Sequence, residues 1–259
     1  MQSGRLDARL ALYRERISSL RELTLRINGG QRAREDLMRA DLMLSEASFL
    51  KARGEYAPAN RKVDELSVRL RAAEKIVMPI FGRYTDKRQI FRWRRWVEET
   101  IAESRHRSTT AFIVNKSERT LTVYEEGKPV RAYDIGLGSN GSMDKSLAGD
   151  NATPEGRYRI IKKMPGSRYF RALLLDYPNA EDRRQFVKAK EEGLIPGKAR
   201  IGGLIEIHGG GSEGLTRGCV SLENSDMQEI FRIARVGTPV AIVGAVRYEN
   251  RISTALKGR

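Results

Sequence analysis

The sequence predicts an α+β chain: an N-terminal α-helical hairpin or bundle followed by a mostly β, sandwich- or barrel-like domain. Three observations predict this. Apolar residues recur at spacings of three and four through roughly the first hundred positions. The apolar period switches to two after Thr110. Many short apolar runs then follow, separated by glycine-containing turns.

In the helical part, Leu6, Leu10, Tyr13, Ile17, Leu20, Thr24 and Ile27 form a heptad seam, and Asn28-Gly29-Gly30 is expected to end the helix. Ala33, Leu37, Ala40, Leu44 and Ala47 mark one face of a second helix, broken over Arg53–Pro58. Val63, Leu66, Leu70, Ala73 and Val77 mark a third, expected to stop near Pro79. A fourth is expected over Asp86–Glu103, with Ile90, Trp93, Val97 and Ile101 inward.

In the β part, Glu126-Gly127-Lys128 reads as a hairpin turn between Leu121–Tyr124 and Val130–Ile135. Gly136–Asn151 is a polar loop, and further strands are expected at Tyr158–Ile161, Leu173–Leu175, Leu204–Ile207, Val220–Leu222 and Val240–Val243. Ser225-x-x-Gln228 has the pattern of a capping box opening a helix to Arg235. The expected division is residues 1–107 as a helical, coiled-coil-like domain, 108–247 as the β domain and 248–259 as a C-terminal tail.

Composition bounds the chemistry. The 259 residues carry a formal charge of +15, spread over both parts: residues 1–107 hold 24 Lys+Arg against 15 Asp+Glu, the rest 24 against 18. A basic surface favours polyanionic partners without choosing among them. No apolar run is long enough to span a membrane. Met1–Arg5 does not open a signal peptide, so an exported protein would carry its leader or anchor outside this sequence. One cysteine excludes an internal disulfide and a multi-cysteine zinc site. Of the two histidines, His106 sits in a basic run and reads as solvated, which leaves no histidine-based metal site. Arg83, Lys87, Arg88, Arg92, Arg94 and Arg95, interleaved with Tyr84, Phe91, Trp93 and Trp96, have the composition of a nucleic-acid surface. An amphipathic helix with packed aromatics explains them better, and no nucleic acid is expected as partner.

The remaining histidine and the cysteine are the candidate chemistry. His208 ends an apolar run and precedes Gly209-Gly210-Gly211, and Cys219 lies in Thr216-Arg217-Gly218-Cys219-Val220-Ser221. A thiol nucleophile needs a base, and the developing oxyanion needs backbone N–H donors. Strand alternation puts Val220 and Leu222 on the core face and Cys219 and Ser221 on the other. His208 is expected beside Cys219 on a neighbouring antiparallel strand, with Gly218 and Cys219 N–H as oxyanion donors. The glycine triplet is no P-loop, because no Gly-Lys-Ser/Thr follows.

His208-Gly209 and Thr216-x-Gly218-Cys219-Val220, with Thr153-Pro154-Glu155-Gly156-Arg157-Tyr158 upstream, resemble the signature of the YkuD-type L,D-transpeptidases over about Thr110–Val246. The resemblance implies a cysteine acyl-enzyme formed on peptidoglycan peptide stems, in the periplasm or cell envelope, with no cofactor. It implies Cys219 as nucleophile, His208 as base oriented by the Gly209 carbonyl, and substrate contacts from Thr216, Arg217, Ser221 and Tyr177. Many family members carry Arg where Ser221 stands. The short loop from His208 to Cys219, with Ala172–Asp182, resembles a branch that includes an amidase releasing peptidoglycan-linked lipoprotein. Transpeptidation, either 3-3 crosslinking or protein attachment, is therefore expected first. A hydrolase of the same family (amidase or L,D-carboxypeptidase) is the alternative, and a non-catalytic cell-wall-binding module comes third. The helices serve as a scaffold or as a docking surface for a protein partner.

Overall fold

A computed structural model of the chain describes residues 2–25, 31–213 and 216–257. Two compact units divide it: Met1–Thr85 with Arg251–Arg259, and Asp86–Asn250.

The first unit contains α1 (Gln2–Thr24), α2 (Gln31–Ala52), α3 (Tyr56–Phe81) and the helix Arg251–Lys257. The expected seams bury: Leu6, Leu10, Ile17, Leu20 and Thr24 from α1, all five small and apolar positions of α2, and Val63, Leu66, Leu70, Ala73 and Val77 from α3. The expected stop at Asn28-Gly29-Gly30 lies outside the described residues. Two helix boundaries differ from expectation. Pro58 sits in the first turn of α3, where a missing N–H costs nothing. Pro79 does not end α3, which runs on to the fully buried Phe81. Burial of that ring holds the last turn although the proline gives up one intrahelical bond. Part of the segment read as a tail is helical, and it buries Ile252 and Leu256 within this unit.

The second unit opens with α4 (Lys87–His106), which the sequence reading grouped with the other helices. It packs on the sheet instead, through Trp93. The indole is fully buried over Gly244, where an added Cβ would meet the ring at 2.2 Å. Asp86 caps α4 by accepting from the N–H groups of Arg88 and Gln89. Val97 and Ile101 are only partly buried, and Phe91 is exposed.

Eight strands follow: β1 (Thr110–Asn115), β2 (Thr120–Glu125), β3 (Lys128–Asp134), β4 (Gly156–Ser167), β5 (Phe170–Leu175), β6 (Glu206–His208), β7 (Val220–Ser221) and β8 (Pro239–Val243). They form one mixed sheet in the order β3-β2-β1-β8-β4-β5-β6-β7. The β2–β3 turn has Glu126 and Gly127 both at positive φ, as a tight two-residue hairpin requires. The sheet curls until the chain after β3 meets β7: Gly136 bridges Ser221, and Gly138 bridges Thr216. Inside lies an apolar core that includes Phe112, Val123, Tyr158, Leu173, Ile207, Val220 and Ile242. Helices α5 (Ala180–Glu191) and α6 (Asn224–Ile233) complete the unit. The expected capping box of α6 does not form. Glu223 is the N-cap, and its carboxylate accepts instead from the N–H and hydroxyl of Ser212.

Buried polar groups tie α4 to the sheet. Lys116 Nζ and Glu155 Oε1 pair at 2.9 Å with both side chains fully buried, and Trp93 Nε1 donates to Glu155 Oε2 at 2.9 Å. Lys116 also donates to the carbonyls of Met143 and Thr153. Such a pair holds only because its remaining polar atoms are bonded too.

Candidate active site

The site forms at β6 and β7. These strands pair in parallel, not antiparallel as the sequence reading expected: Ile207 stands opposite Val220, and His208 opposite Ser221. Parallel strands cannot be joined by a tight hairpin, so residues 209–219 carry the chain back to the end at which β6 began. Ile207, Val220 and Leu222 are fully buried in the core. Alternation sends Glu206, His208, Cys219 and Ser221 to the opposite face. On β6's other side, β5 places Leu174 opposite Glu206 and Ala172 opposite His208.

Two contacts hold the His208 ring. Nδ1 stands 2.6 Å from the Gly209 carbonyl oxygen, the contact the family resemblance implies. An Nδ1–H donated there leaves Nε2 with its lone pair. The Tyr169 ring stacks on the imidazole at 4.6 Å between centroids, and the Arg168 guanidinium lies over the Tyr169 ring. The backbone after the histidine is pinned in turn. Gly209 N–H donates to the Arg171 carbonyl, Gly210 N–H to Asn224 Oδ1, and Gly211 N–H to the Leu222 carbonyl. A Cβ at Gly209 would lie 2.5 Å from Asn224 Oδ1 and 2.8 Å from the Tyr169 carbonyl, so only glycine fits.

Cys219 is partly buried, and its sulfur is directed at the Leu204 carbonyl oxygen, 3.7 Å away. Burial pushes the thiol pKa up. The Glu206 backbone N–H acts against that rise, the Glu206 carboxylate adds to it, and Lys145 opposes it. Burial likewise raises the Glu206 carboxyl, against the pull of His208.

The other expected residues are placed differently from one another. Thr216 Oγ1 accepts from Gly218 N–H at 3.1 Å and donates to the Cys219 carbonyl at 2.7 Å, so it locks the turn that presents the sulfur. The Gly218 N–H is thereby occupied, which corrects its expected availability as an oxyanion donor. Among the described residues no acceptor takes the Cys219 N–H. Gly218 has φ 129°, and a Cβ there would meet the Ala152 carbonyl at 2.7 Å. Arg217 is exposed. Ser221 is buried, and among the described residues its hydroxyl has no hydrogen-bond partner. Tyr177 is also buried. It donates to the Ile201 carbonyl and lines a cavity of about 150 Å³ with Lys145, Asp182, Gln185 and Phe186. Tyr169 and Glu206 escaped the sequence reading. An aromatic pair, Tyr169-Phe170, at a hairpin tip was the available signal for the first.

Residues 109–242 match the family model of the YkuD L,D-transpeptidase catalytic domain. The chain belongs to the YkuD family. The fold agrees, since N-terminal helices precede a curled mixed sheet. YafK of Escherichia coli (strain K12), provisionally named an L,D-transpeptidase, is 31% identical to this YkuD-family chain over 123 residues. The match covers 45% of this chain and 44% of YafK, so less than half of that relative's length is represented. Among solved structures, Bd1075 of Bdellovibrio bacteriovorus is similar over 54% of this chain and 49% of its own, at 23% identity and a TM-score of 0.41. L,D-transpeptidase 1 of Mycobacterium tuberculosis is similar over 52% of this chain and 62% of its own, at 16% identity and a TM-score of 0.34. Among the described residues no helix is long and apolar enough to cross a membrane.

Proposed function

We propose that this YkuD-family protein is a cysteine acyltransferase of the cell envelope, acting as an L,D-transpeptidase on peptidoglycan peptide stems. What supports the reading is that His208 ends β6, Cys219 immediately precedes the strand paired with it, and the ring is anchored through Nδ1. In the reaction the Cys219 thiol turns from the Leu204 carbonyl and gives its proton to His208 Nε2. The sulfur adds to the stem carbonyl, and the Cys219 N–H receives the oxyanion. The C–N bond breaks, His208 returns the proton to the leaving amine, and a thioester remains. An entering amine reverses these steps: its nitrogen attacks the thioester, its proton passes to His208 and then to the departing sulfur. With water as acceptor the same site is a hydrolase. A lipoprotein attached to the stem is a further candidate substrate, and periplasmic location follows from the substrate.

The test treats the protein with a carbapenem and with stem peptides, with and without an added amine acceptor, followed by mass spectrometry. A Cys219 adduct and a transfer product are expected, and both should be lost in Cys219→Ala. Trimmed product alone, with or without acceptor, would make the protein a hydrolase. No adduct under conditions that label an established family member would leave a cell-wall-binding module.

A further inference from the structure

We propose that Glu206 is the subsite for a substrate ammonium group, the residue by which this site selects a positively charged side-chain amine on the residue that bears the reacting carbonyl. The proposal rests on the acyl-transfer reading and adds to it the chemical class that the cleft recognises.

The argument begins with the strand grid. Register places Ala172, His208 and Ser221 in one row across β5, β6 and β7, and sets Glu206 opposite Leu174 two residues before His208, as Cys219 stands two before Ser221 in the chain. Glu206 thus lies beside a leucine on β5, with the His208 imidazole acting on its carboxylate and the Cys219 thiol feeling its charge. The neighbouring cation, Lys145, is itself tied down: it donates to Asp150 Oδ1 at 2.7 Å and to the Leu147 carbonyl. Among the described residues the Glu206 carboxylate has no hydrogen-bond or ion-pair partner, yet it is half-buried. A partly desolvated carboxylate without a partner is costly to keep, and an ammonium supplied by the substrate removes that cost. Its position against Cys219 adds a second effect. The carboxylate opposes ionisation of the thiol, so an ammonium bound to it also makes the thiolate easier to form. Recognition and activation of the nucleophile would then occur together.

The test measures binding with the chemistry removed. In Cys219→Ala protein, calorimetry at neutral pH compares two N-terminally acetylated tetrapeptides that carry a diamino acid at the reacting carbonyl, one with its side-chain amine free and one with that amine acetylated. The free-amine peptide should bind about tenfold to a hundredfold more tightly, the range of a charge-assisted hydrogen bond. Glu206→Gln in the same background should abolish the preference, and Glu206→Asp should restore part of it. Melting curves of each variant report folding. Equal affinity for the two peptides, no detectable binding of either, or a preference that survives Glu206→Gln would overturn the proposal. Carbapenem labelling of the unmodified protein tests the acyl-transfer reading separately. A Cys219 adduct without an ammonium preference defeats Glu206 alone.

Discussion

The Cys219 sulfur points at the carbonyl oxygen of Leu204, and Leu204 is itself unusual, an exposed leucine at φ 56°. That contact calls for a protonated thiol, so in the proposed reaction the sulfur must rotate away from Leu204 before it attacks. Burial acts in the same direction by raising its pKa.

Alkylation of Cys219 by iodoacetamide should therefore reach half its maximal rate above the pH of an ordinary thiol. Glu206→Gln removes a negative charge that disfavours the thiolate, so its midpoint should move to lower pH. A midpoint unchanged or raised would show that the carboxylate does not act on the sulfur.

Thr216→Val keeps the shape of the side chain and removes both hydrogen bonds of the turn. A stability loss of about 1–2 kcal/mol is expected by denaturant titration. A larger proportional loss of acylation rate should accompany it, because the Cys219 carbonyl and the Gly218 N–H are released together. Thr216→Ser should restore both.

The Lys116–Glu155 pair is sealed from water. Glu155→Gln leaves a buried ammonium facing a neutral amide and also weakens the bond from Trp93. A loss of about 3–5 kcal/mol is expected in chemical denaturation. A midpoint within error of the unmodified protein would mean that water reaches the pair.

Asp150 links the loop after β3 to pH. Burial alone would raise its carboxyl, but Lys145 and the N–H groups of Leu147, Ala152 and Ser146 hold it below the ordinary value of 3.8. A depressed carboxylate stabilises the fold at pH values above its unfolded pKa, and the contribution is lost as pH falls through the folded pKa. Asp150→Asn should thus melt at a lower temperature than the unmodified protein at neutral pH. The gap should close below about pH 3.8, near the unfolded aspartate's pKa. A gap that persists in acid would assign the effect to packing.

How much of this was legible in the sequence depends on the range of the interaction. The faces Ala33–Ala47 and Val63–Val77 are set by local periodicity, and both bury as read. The β2–β3 turn is set by two residues able to take positive φ. The His-Gly and Gly-Cys motifs located the two reactive groups. The parallel pairing of β6 and β7 was not legible, because strands of three and two residues carry too little pattern to fix a direction. Nor was the partnership of Lys116, Glu155 and Trp93, which joins positions far apart in the chain and has no periodicity. The seat of α4 on the sheet depends on one indole meeting one glycine, a fit of shape and not of pattern. Thr216 was expected as a substrate contact from the family resemblance; its two bonds show that its hydroxyl is used within the turn.

The junction between the chain after β3 and the nucleophile's strand has a mechanical consequence. Gly136 and Ser221 exchange two backbone bonds, and Thr216 makes two more with Leu137 and Ser139. The stretch beginning at Gly136 is stitched to the segment bearing Cys219 along its first four residues. Swinging that stretch outward would unzip the nucleophile from its own support, so it serves as a fixed wall and not a door. In the proposed reaction a substrate would then approach past the tip that carries Tyr169, or along the side chains of β6, without help from the opposite bank.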